Sequence, residues 1–462
     1  MKKRMVIISS YVEGETYGIL GPQMAATIIS DNTSYDCIVI CITREDDKNL
    51  IKKALADYFG KERPIIGFSS LSGREDLFSF AKDLKDDGAM TIIAGPQADL
   101  DYLGETDWEN HLHRFQGLSK CFTYSLHGPA EQAIEFLNGL DKKEWKTSSG
   151  LLFLGRNGKI IRNREKMWNE KFLRTVSWNN IYRISKAGIL PLNIKTGQVL
   201  QQIGCPHASK GRWVEIDYPE PLKGRRGHKI KMFVKGCSFC DVATDKGFYG
   251  ELEMDAVLSQ IDSLPEDSEG RKIPFELINE NPLFKLPRLI KETRERGTNL
   301  SQINLILRAD WLLKGEGRLR EALTIASERG LRILVSSIGF EAFDDFLLRN
   351  FNKGLNVDTN LSAVRLMRRL KEEYPNELGY SRTDGAIHGF IHPTPWDNKE
   401  IAINTQKNIS IYGLGKDILP EHSTPLIIHH ASMLGYWIRE VEKREGVRYK
   451  RYGSIIGWWK EL

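Results

Sequence analysis

Residues 36–43 read DCIVICIT, and the strand that this sequence predicts indicates the fold class of the N-terminal part of the chain. It is a short, almost continuous apolar run rich in β-branched residues, which is typical of a strand buried on both faces of a parallel sheet. Three more such runs occur within the first hundred residues, namely MVIIS (5–9), PIIGFSS (64–70) and MTIIAG (90–95). We expect all four to be strands of one sheet.

Amphipathic helical patterns separate these strands. Residues 48–59 (KNLIKKALADYF) and residues 74–84 (REDLFSFAKDL) each place their apolar side chains on one helical face. Alternation of strand and helix predicts an α/β domain with a doubly wound, Rossmann or flavodoxin-like sheet over residues 1–140. Ligands of this fold lie outside the carboxyl ends of the strands. Small or glycine-containing turns follow those ends, although ordinary βα turns use such residues too; the candidate ligand contacts there are Ser69, Ser70, Gly73, Gly95, Pro96, Gln97 and Gly128.

A second series of strands and helices follows a polar bridging segment, residues 141–195. Its strand patterns are VLQQIG, PFELI, INLILR, LRILVSS and AIHGFIH, and residues 251–264 and 359–372 have helical periodicity. Five or six βα units predict a full or partial (β/α)6 barrel over residues 196–430, with its chemistry on the loops after the strands. Residues 431–462 are rich in aromatic side chains, and we expect a small C-terminal cap there.

The composition is that of a globular protein with two or three domains. The chain has 462 residues, of which 41% are hydrophobic and 27% charged. No apolar run approaches the length of a membrane span, and the N-terminal apolar stretch is too short for a signal peptide. We therefore expect a cytoplasmic protein that uses no membrane. The net charge of +5 is too small to indicate nucleic acid by itself, but it does not exclude it.

Six cysteines in a chain of this length do not form a disulfide framework. Cys37 and Cys41 are expected on the same face of a buried strand, as core residues, and Cys121 is interpreted in the same way. The other three are Cys205, Cys237 and Cys240. Cys237 and Cys240 lie in GCSFCD (236–241), where two thiolates three positions apart can bind one metal or cluster. This spacing alone leaves zinc, a redox pair and a cluster open.

The glycine before the pair, the aromatic residue within it and the βα series after it resemble the radical S-adenosylmethionine superfamily. The resemblance implies that three cysteines bind three irons of a 4Fe-4S cluster, whose fourth iron binds the amino and carboxyl groups of S-adenosylmethionine. The usual spacing is not kept, because Phe233 stands where the first cysteine would be. The resemblance assigns that role to Cys205 in QQIGCP, so residues 206–236 are an insertion inside the motif. A barrel without a cluster and a three-thiolate zinc site are the alternatives.

Downstream sequences add to the resemblance. INENPLF resembles the turn after the second barrel strand and implies that Glu280 and Asn281 lie near the amino group of the cofactor. LILRAD resembles the third strand and implies that Arg308 faces the cofactor. The sequence from SSIGFE to NKG resembles the fourth strand and assigns Gly339 and Glu341 to its cofactor end. Each match alone is equally consistent with a core or capping role.

The first 140 residues resemble the cobalamin-binding domain of class B radical enzymes, through the turns AGPQA and HGPAE. The resemblance implies cobalamin over the strand-end turns at Ser69–Gly73, Gly95–Gln97 and Gly128. The Asp-x-His-x-x-Gly motif, whose histidine binds cobalt in other cobalamin proteins, is absent from the sequence. No histidine is therefore placed to bind the cobalt, and a purely structural domain without cobalamin is the alternative.

Three functions follow from these patterns. The first is a cobalamin-dependent radical methyltransferase acting on an unactivated carbon or phosphorus through a 5′-deoxyadenosyl radical. The second is a cobalamin-independent radical enzyme that rearranges or cyclises its substrate. The third is a non-enzymatic, metal-stapled module that binds RNA or another anion. The first two imply an external electron donor such as flavodoxin or ferredoxin.

The insertion at 206–236 is strongly basic. Eight Lys or Arg residues stand against three acidic residues, a local excess of +5. A solvated loop explains this composition, but both ends of the segment are fixed by predicted cluster ligands. We therefore predict a gate or a partner surface near the cluster.

Overall fold

The structure is a computed structural model of the whole chain, and it describes residues 2–14, 18–69, 74–95, 120–222, 229–240, 250–421, 423–430, 432–452 and 455–461. The chain divides into two compact units. The first comprises Met1–Lys195 with Arg451–Ile455, and the second comprises Thr196–Lys450 with Ile456–Leu462.

The first unit is built on a nine-stranded sheet. Its strands are β1 Lys3–Ser10, β2 Tyr35–Ile42, β3 Ile65–Ser69, β4 Met90–Ala94, β5 Tyr124–Leu126, β6 Leu151–Leu154, β7 Ile160–Arg162, β8 Ile181–Ser185 and β9 Gly188–Pro191. Strands β1 to β5 pair in parallel in the order 2-1-3-4-5. This is the flavodoxin-like doubly wound order, whose switch point lies between β1 and β3.

Among the described residues of this unit, helices α1 Leu20–Asn32, α2 Lys48–Phe59 and α3 Glu75–Asp86 connect the parallel strands β1 to β4. Helix α4 Gln132–Lys142 connects β5 to β6, which pair in antiparallel orientation. Helix α2 has the bounds that its periodicity predicts. It begins after Asp47, whose side chain accepts a hydrogen bond from the backbone N–H of Asn49 at 2.9 Å, and it ends at Gly60, whose φ is +58°. A side-chain acceptor at the first turn and a left-handed glycine after the last turn are ordinary helix termini.

Alternate residues of the central strands pack on opposite faces of the sheet. Val6, Ile8 and Ile40 lie in one apolar cluster with residues of α2 and α3. Cys37 and Cys41 lie in the other cluster, which includes residues of α1 and α4. Both thiols are buried, and burial raises the pKa of Cys41 to about 12. The prediction that these two cysteines are core residues on one face of a strand is confirmed.

The bridging segment predicted at 141–195 contains strands of this same sheet. Strands β6 and β7 add to β5 in antiparallel pairs, whereas β8 adds in parallel to β2 and forms an antiparallel hairpin with β9. These strands are short, and β7 and β9 are only partly buried. The two edge strands, β7 and β9, lack the continuous apolar run of the central strands, so the sequence pattern did not distinguish them from a linker.

The second unit contains a six-stranded parallel sheet. Its strands are β10 Gly197–Leu200, β15 Phe275–Ile278, β16 Gln302–Leu307, β17 Arg332–Glu341, β18 Leu378–Gly379 and β19 Gly389–Phe390. The strands follow one another in chain order from β10 to β18, and both β18 and β19 pair with β17. Sequential parallel order with helices between the strands is the order of a (β/α) barrel wall.

Among the residues that the structure describes, the helices of this unit are α5 Met254–Ser263, α6 Leu286–Glu295, α7 Ala309–Lys314, α8 Glu316–Ser327, α9 Asp345–Asn350, α10 Val357–Glu373, α11 Lys399–Tyr412 and α12 Met433–Glu445. The helices predicted at 251–264 and 359–372 correspond to α5 and α10, which confirms both. The remaining strands in the described part of the chain are β11 Gln202–Ile203, β12 Gly211–Asp217, β13 Lys229–Lys235, β14 Gly250–Glu251, β20 Ile428–His429, β21 Tyr449–Tyr452 and β22 Ile455–Glu461.

The basic insertion forms a β-hairpin. Strands β12 and β13 pair in antiparallel register from Gly211↔Lys235 to Asp217↔Lys229. Its residues alternate between a buried side, which includes Ile216, Ile230 and Val234, and an exposed side. The hairpin is thus an ordered part of the second unit, not an unstructured loop.

Among the residues that the structure describes, no helix is long and apolar enough to cross a membrane.

Candidate functional site

Cys205 lies just after the first strand of the parallel sheet of the second unit. Strand β10 leads into the short β11, and Gly204 then turns the chain with a φ of +78°. Cys205 itself is extended and precedes a short 3-10 helix, Pro206–Ala208, in which the N–H of Ala208 donates to the carbonyl of Cys205 at 2.9 Å. The cysteine is therefore at the carboxyl end of a strand, where barrel chemistry is expected.

Cys237 and Cys240 lie in one tight turn at the end of the hairpin. Gly236 has a φ of +67° and the N–H of Cys240 donates to the carbonyl of Cys237 at 3.2 Å. Ser238, between them, is fully buried. It donates from its backbone N–H to the carbonyl of Phe351 at 2.8 Å and from its hydroxyl to the carbonyl of Asn350 at 2.7 Å. The last residue of helix α9 and the residue after it thus hold the turn in place.

Asn352 connects both ends of the insertion. Its Nδ2 donates to the carbonyl of Gly236 at 2.7 Å, and its Oδ1 accepts from Arg212 Nε at 2.7 Å. Its backbone carbonyl lies 3.1 Å from a ring nitrogen of His207. Asn352 is buried and has a φ of +50°, a conformation that asparagine tolerates better than most residues. One side chain therefore fixes the chain after Cys205 and the chain before Cys237.

Two buried cations lie beside the Cys237 thiol. Arg308 donates from Nη1 to Cys237 Sγ at 3.7 Å and from Nη2 to the carbonyl of Lys353 at 2.6 Å. Burial raises the pKa of Cys237, and the positive charges of Lys353 and Arg308 oppose that increase. Burial also raises the pKa of Cys205 to about 11, and the carboxylate of Glu280 adds to this effect. The cations favour the thiolate form that binds metal, and the resemblance had placed Arg308 toward a cofactor.

Two carboxylates belong to the same environment. Glu341 forms a 2.7 Å ion pair with Lys353, and both side chains are buried. Burial raises the pKa of Glu280; the nearby Glu341 adds to the increase, whereas Lys353 and Arg308 oppose it. These electrostatic interactions place Glu280, Glu341, Arg308 and Lys353 close to one another and to the thiols.

The conformation of Glu341 explains the glycines around it. Glu341 has a φ of +60°, which is strained for a residue with a side chain. A Cβ at Gly339 would lie 2.8 Å from Glu341 Oε1, and a Cβ at Gly389 would lie 2.7 Å from Glu341 Oε2. Both glycines therefore make room for this carboxylate. Gly339 and Glu341 occur at the carboxyl end of β17, where the resemblance assigned them to the cofactor.

The spacing of the side-chain donors bears on which of the implied cofactors the site can hold. Among the described residues, no group of three or more His, Cys, Asp or Glu side chains is close enough together to hold one metal ion. A cluster whose three irons each bind one thiolate does not require the sulfurs to converge on one point. The loop after β15 adds an unused acceptor, because Asn281 Oδ1 is buried and has no hydrogen-bond partner. Three thiols, two cations and a free amide acceptor fit a cluster with an amino-group ligand beside it.

The strand-end turns of the first unit are only partly described. Ser70, Gly73, Pro96 and Gln97 lie outside the described residues. Ser69 ends β3, and Gly95, with a φ of +82°, would place a Cβ 3.1 Å from Ser69 Oγ, so these two residues are neighbours. At Gly128, with a φ of +90°, a Cβ would lie 2.7 Å from both Gln132 Nε2 and Glu165 Oε2. The packing of the chain itself thus accounts for Gly128.

Three residues of the site were not predicted as functional. Asn350 was not singled out, and Asn352 and Lys353 were included only in the NKG end of the match to the fourth strand. All three lie in the sequence RNFNKG (349–354), where closely spaced asparagines near a glycine are the available signal. The contacts of Asn350 and Asn352 with the cysteine turn span more than a hundred residues, so no local pattern indicates them.

Comparison with protein families and curated proteins gives limited sequence similarity. No family model matches the chain. Bacteriochlorophyllide d C-12(1)-methyltransferase of Chlorobaculum tepidum is 28% identical over 166 residues, which are 35% of this chain and 32% of that protein. The chain thus matches about a third of the length of this curated relative.

Comparison with solved structures covers nearly the whole chain. Two structures of the cobalamin-dependent S-adenosylmethionine radical enzyme OxsB match with a TM-score of 0.63 and 13% identity. One has aqua-cobalamin and S-adenosylmethionine bound, and the other has aqua-cobalamin bound. They cover 98% and 99% of this chain, which spans 64% of OxsB. The resemblance stated from the sequence is confirmed at the level of fold: the chain has the fold of a cobalamin-dependent S-adenosylmethionine radical enzyme.

Proposed function

We propose that the chain is a radical S-adenosylmethionine enzyme whose 4Fe-4S cluster is held by Cys205, Cys237 and Cys240. The observation that carries the proposal is the geometry at Cys237, where a partly buried thiol lies 3.7 Å from the buried Arg308 guanidinium in a turn held by hydrogen bonds. A buried arginine beside a thiol favours negative charge on sulfur, which a structural core cysteine does not need. The OxsB-like fold over nearly the whole chain supports the same assignment.

The residues around the thiols have distinct roles in this proposal. Asn350 and Asn352 hold the cysteine turn, so Cys237 and Cys240 are presented in a fixed geometry. Arg308 and Lys353 stabilise the negative charge of the thiolates and of the bound cluster. Glu341 keeps Lys353 in place. Preorganised charges in a buried site act more strongly than charges in water.

S-adenosylmethionine bound beside the cluster would supply the chemistry of a 5′-deoxyadenosyl radical. The groups of this chain that would hold its amino end are Glu280 and Asn281, on the loop after β15. Asn281 offers a buried acceptor atom without a hydrogen-bond partner, and Glu280 offers a partly buried carboxyl group whose pKa is raised by desolvation. A positively charged amino group would complement both side chains and would favour the ionised form of Glu280.

The reaction that we propose is cobalamin-dependent methyl transfer to an unactivated carbon or phosphorus centre. Two comparisons support it: OxsB is a cobalamin-dependent enzyme, and the curated relative is a methyltransferase. Cobalamin would lie at the carboxyl edge of the first unit's sheet, where Ser69 and Gly95 are neighbours at the ends of β3 and β4.

A cobalamin-independent rearrangement or cyclisation is the second candidate. One observation favours it: Gln132 and Glu165 fill the space beside Gly128. The turn at Gly128 is one of the three turns expected to face the corrin, so side chains occupy space that the corrin would need. Corrinoid content separates the two candidates.

Anaerobic reconstitution with iron and sulfide tests the proposed function. We expect about four irons and four sulfides per chain, and 5′-deoxyadenosine when S-adenosylmethionine and a reductant are added. Cys205→Ala, Cys237→Ala and Cys240→Ala should each abolish 5′-deoxyadenosine formation, whereas the matched control Cys121→Ala should not. Stoichiometric retention of hydroxocobalamin on gel filtration supports methyl transfer. A colourless protein that binds one zinc would refute the enzyme assignment.

A further inference from the structure

One side of the hairpin in the cluster motif exposes an unusual combination of side chains. Strand register places Trp213 opposite Phe233 and Glu215 opposite Lys231 on this side. Lys235, two residues after Phe233, and Lys229, two residues before Lys231, point to the same side of the hairpin. We name this surface the hairpin face, defined by Trp213, Phe233, Lys229, Lys231 and Lys235.

The two aromatic rings of the hairpin face form one exposed contact. Trp213 is 66% exposed and Phe233 is 46% exposed. Their ring centroids are 5.6 Å apart with an interplanar angle of 65°, and Lys231 Nζ lies 5.7 Å from the centroid of the Trp213 ring. Large aromatic side chains left in water beside cations are typical anchors of a protein interface.

The charge of the hairpin face is positive. Its three lysines are exposed, and the acidic residue between them, Glu215, lies 3.8 Å from Lys229. Asp217 does not neutralise the face, because it is buried and forms a 3.1 Å ion pair with Arg349. A surface of this sign attracts acidic partners and accelerates their encounter at low salt.

The hairpin face is attached directly to the cysteine turn. Phe233 precedes Cys237 by four residues, which span at most about 14 Å of extended backbone. Asn352 bonds to Gly236 at one end of the insertion and to Arg212 at the other, so the ribbon cannot swing away from the cysteines. The face is therefore the exposed part of the segment that joins two of the thiols.

We propose that the hairpin face is the docking surface for a small acidic protein that carries one electron on a flavin or an iron–sulfur centre. This inference rests on the proposed function, which needs such an electron. In the step, the carrier is oxidised by one electron and the cluster on Cys205, Cys237 and Cys240 is reduced by one. No covalent bond forms or breaks, and no proton moves at the docking surface.

Single-stranded nucleic acid fits the hairpin face less well. Bases bind on open aromatic faces, and successive bases need successive platforms. Here the two rings are nearly perpendicular, and Lys231 lies over the indole. The small size of the face also agrees with electron-transfer encounters, which use the smallest specific protein interfaces.

The test compares two reductants on the reconstituted protein. Reduced flavodoxin is the protein reductant and titanium(III) citrate the small one, and cluster reduction is followed by stopped-flow absorbance. We expect Lys229→Glu/Lys231→Glu, and more mildly Lys229→Gln/Lys231→Gln, to slow reduction by flavodoxin at least tenfold at low ionic strength. The difference should shrink in high salt, and reduction by titanium(III) citrate should not change. The matched control is Lys407→Glu, an exposed lysine on helix α11.

Flavodoxin binding to the apo protein, measured by calorimetry, keeps this test separate from that of the enzyme assignment. If no cluster assembles in the wild type, the proposed function fails, and the hairpin face is then judged by binding alone. Equal flavodoxin affinity and equal reduction rates in the wild type and both lysine variants would overturn the docking surface. Binding of a single-stranded RNA oligomer that is lost in Trp213→Ala would reassign the face to nucleic acid and would also overturn it.

Discussion

Arg308 joins the Cys237 thiol to the main chain of Lys353. One guanidinium nitrogen lies 3.7 Å from Cys237 Sγ, and another donates to the Lys353 carbonyl at 2.6 Å. The third nitrogen is bonded to Asp310 at 3.1 Å, so the guanidinium is held on three sides. Its charge is therefore fixed at the sulfur, instead of being averaged over many rotamers.

Removing this guanidinium should weaken cluster retention. We expect Arg308→Met to release iron to a chelator about tenfold faster than the wild type, because a hydrogen bond to a charged group contributes about 1.5–3 kcal/mol. The measurement is the decay of cluster absorbance in excess chelator under anaerobic conditions. Arg318→Met is the matched control, since Arg318 is exposed and pairs with Glu321. An unchanged half-life in Arg308→Met would contradict the role given to this arginine.

The buried pair of Lys353 and Glu341 should show strong coupling. Lys353→Met leaves a buried carboxylate unpaired, so we expect the free energy of unfolding to fall by about 3–5 kcal/mol. The double variant Lys353→Met/Glu341→Gln should lose clearly less than the sum of the two single variants, because neither charge remains without its partner. Urea denaturation of the apo protein measures all three. Additive losses would mean that the 2.7 Å contact does not stabilise the fold.

Asn352 should control the mobility of the insertion. Asn352→Gly keeps the left-handed backbone available but removes the bonds to Gly236 and Arg212. We expect amide hydrogen exchange in strands β12 and β13 to become at least tenfold faster in this variant, while exchange in β16 stays the same. The matched control is Asn356→Gly, which removes an asparagine hydrogen bond at the start of helix α10. Asn408→Gly is not suitable, because a glycine within helix α11 would itself destabilise that helix. Equal hydrogen-exchange rates of the hairpin amides in Asn352→Gly and the wild type would show that Asn352 does not restrain the insertion.

The central elements were predictable from the sequence because their patterns are strong and local. Helix α2 repeats its apolar residues with helical periodicity, and β2 is a continuous apolar run, so both were predicted correctly. Strand β18 was missed, since it contains only Leu378 and Gly379 and owes its existence to pairing with β17. The hairpin was treated as a basic segment, because three lysines in β13 obscured its alternation of buried and exposed residues.

The cysteines were found from the sequence, but their surroundings were not. A glycine, two cysteines and an aromatic residue form a local pattern at 236–240. The bonds of Ser238 to Asn350 and of Gly236 to Asn352 join positions that are 112 and 116 residues apart, and they exist only after the sheet has folded. The contact between Arg308 and Cys237 also joins positions that are far apart in the sequence. The resemblance predicted only that Arg308 faces a cofactor, not that it lies beside this thiol.

Asp384 should make the stability of the second unit depend on pH. Its carboxylate forms ion pairs with Arg332 at 2.9 Å and Lys371 at 3.2 Å, and it accepts hydrogen bonds from the backbone of Tyr380 and Ser381. Burial alone would raise the pKa of Asp384, but the hydrogen bonds from Ser381, the backbone and Lys371 together hold it well below its usual value. These contacts join β17 and helix α10 to the segment that follows β18.

The sign of the pH effect follows from this depressed pKa. A carboxyl group that loses its proton more readily in the folded state stabilises that state above its unfolded pKa of about 4, and this contribution is lost as the pH falls through the folded pKa. We expect Asp384→Asn to lower the free energy of unfolding by about 2–3 kcal/mol at pH 6.5, where the wild-type carboxylate is ionised in both states. The difference in the free energy of unfolding between the wild type and the variant should decrease steadily below pH 5. Glu372→Gln, an exposed neighbour on helix α10, should show no such gap at either pH. Denaturant titrations at pH 6.5, 5 and 4 measure the three proteins, and a gap that stays constant or widens toward acid would show that the Asp384 contacts do not depend on its charge.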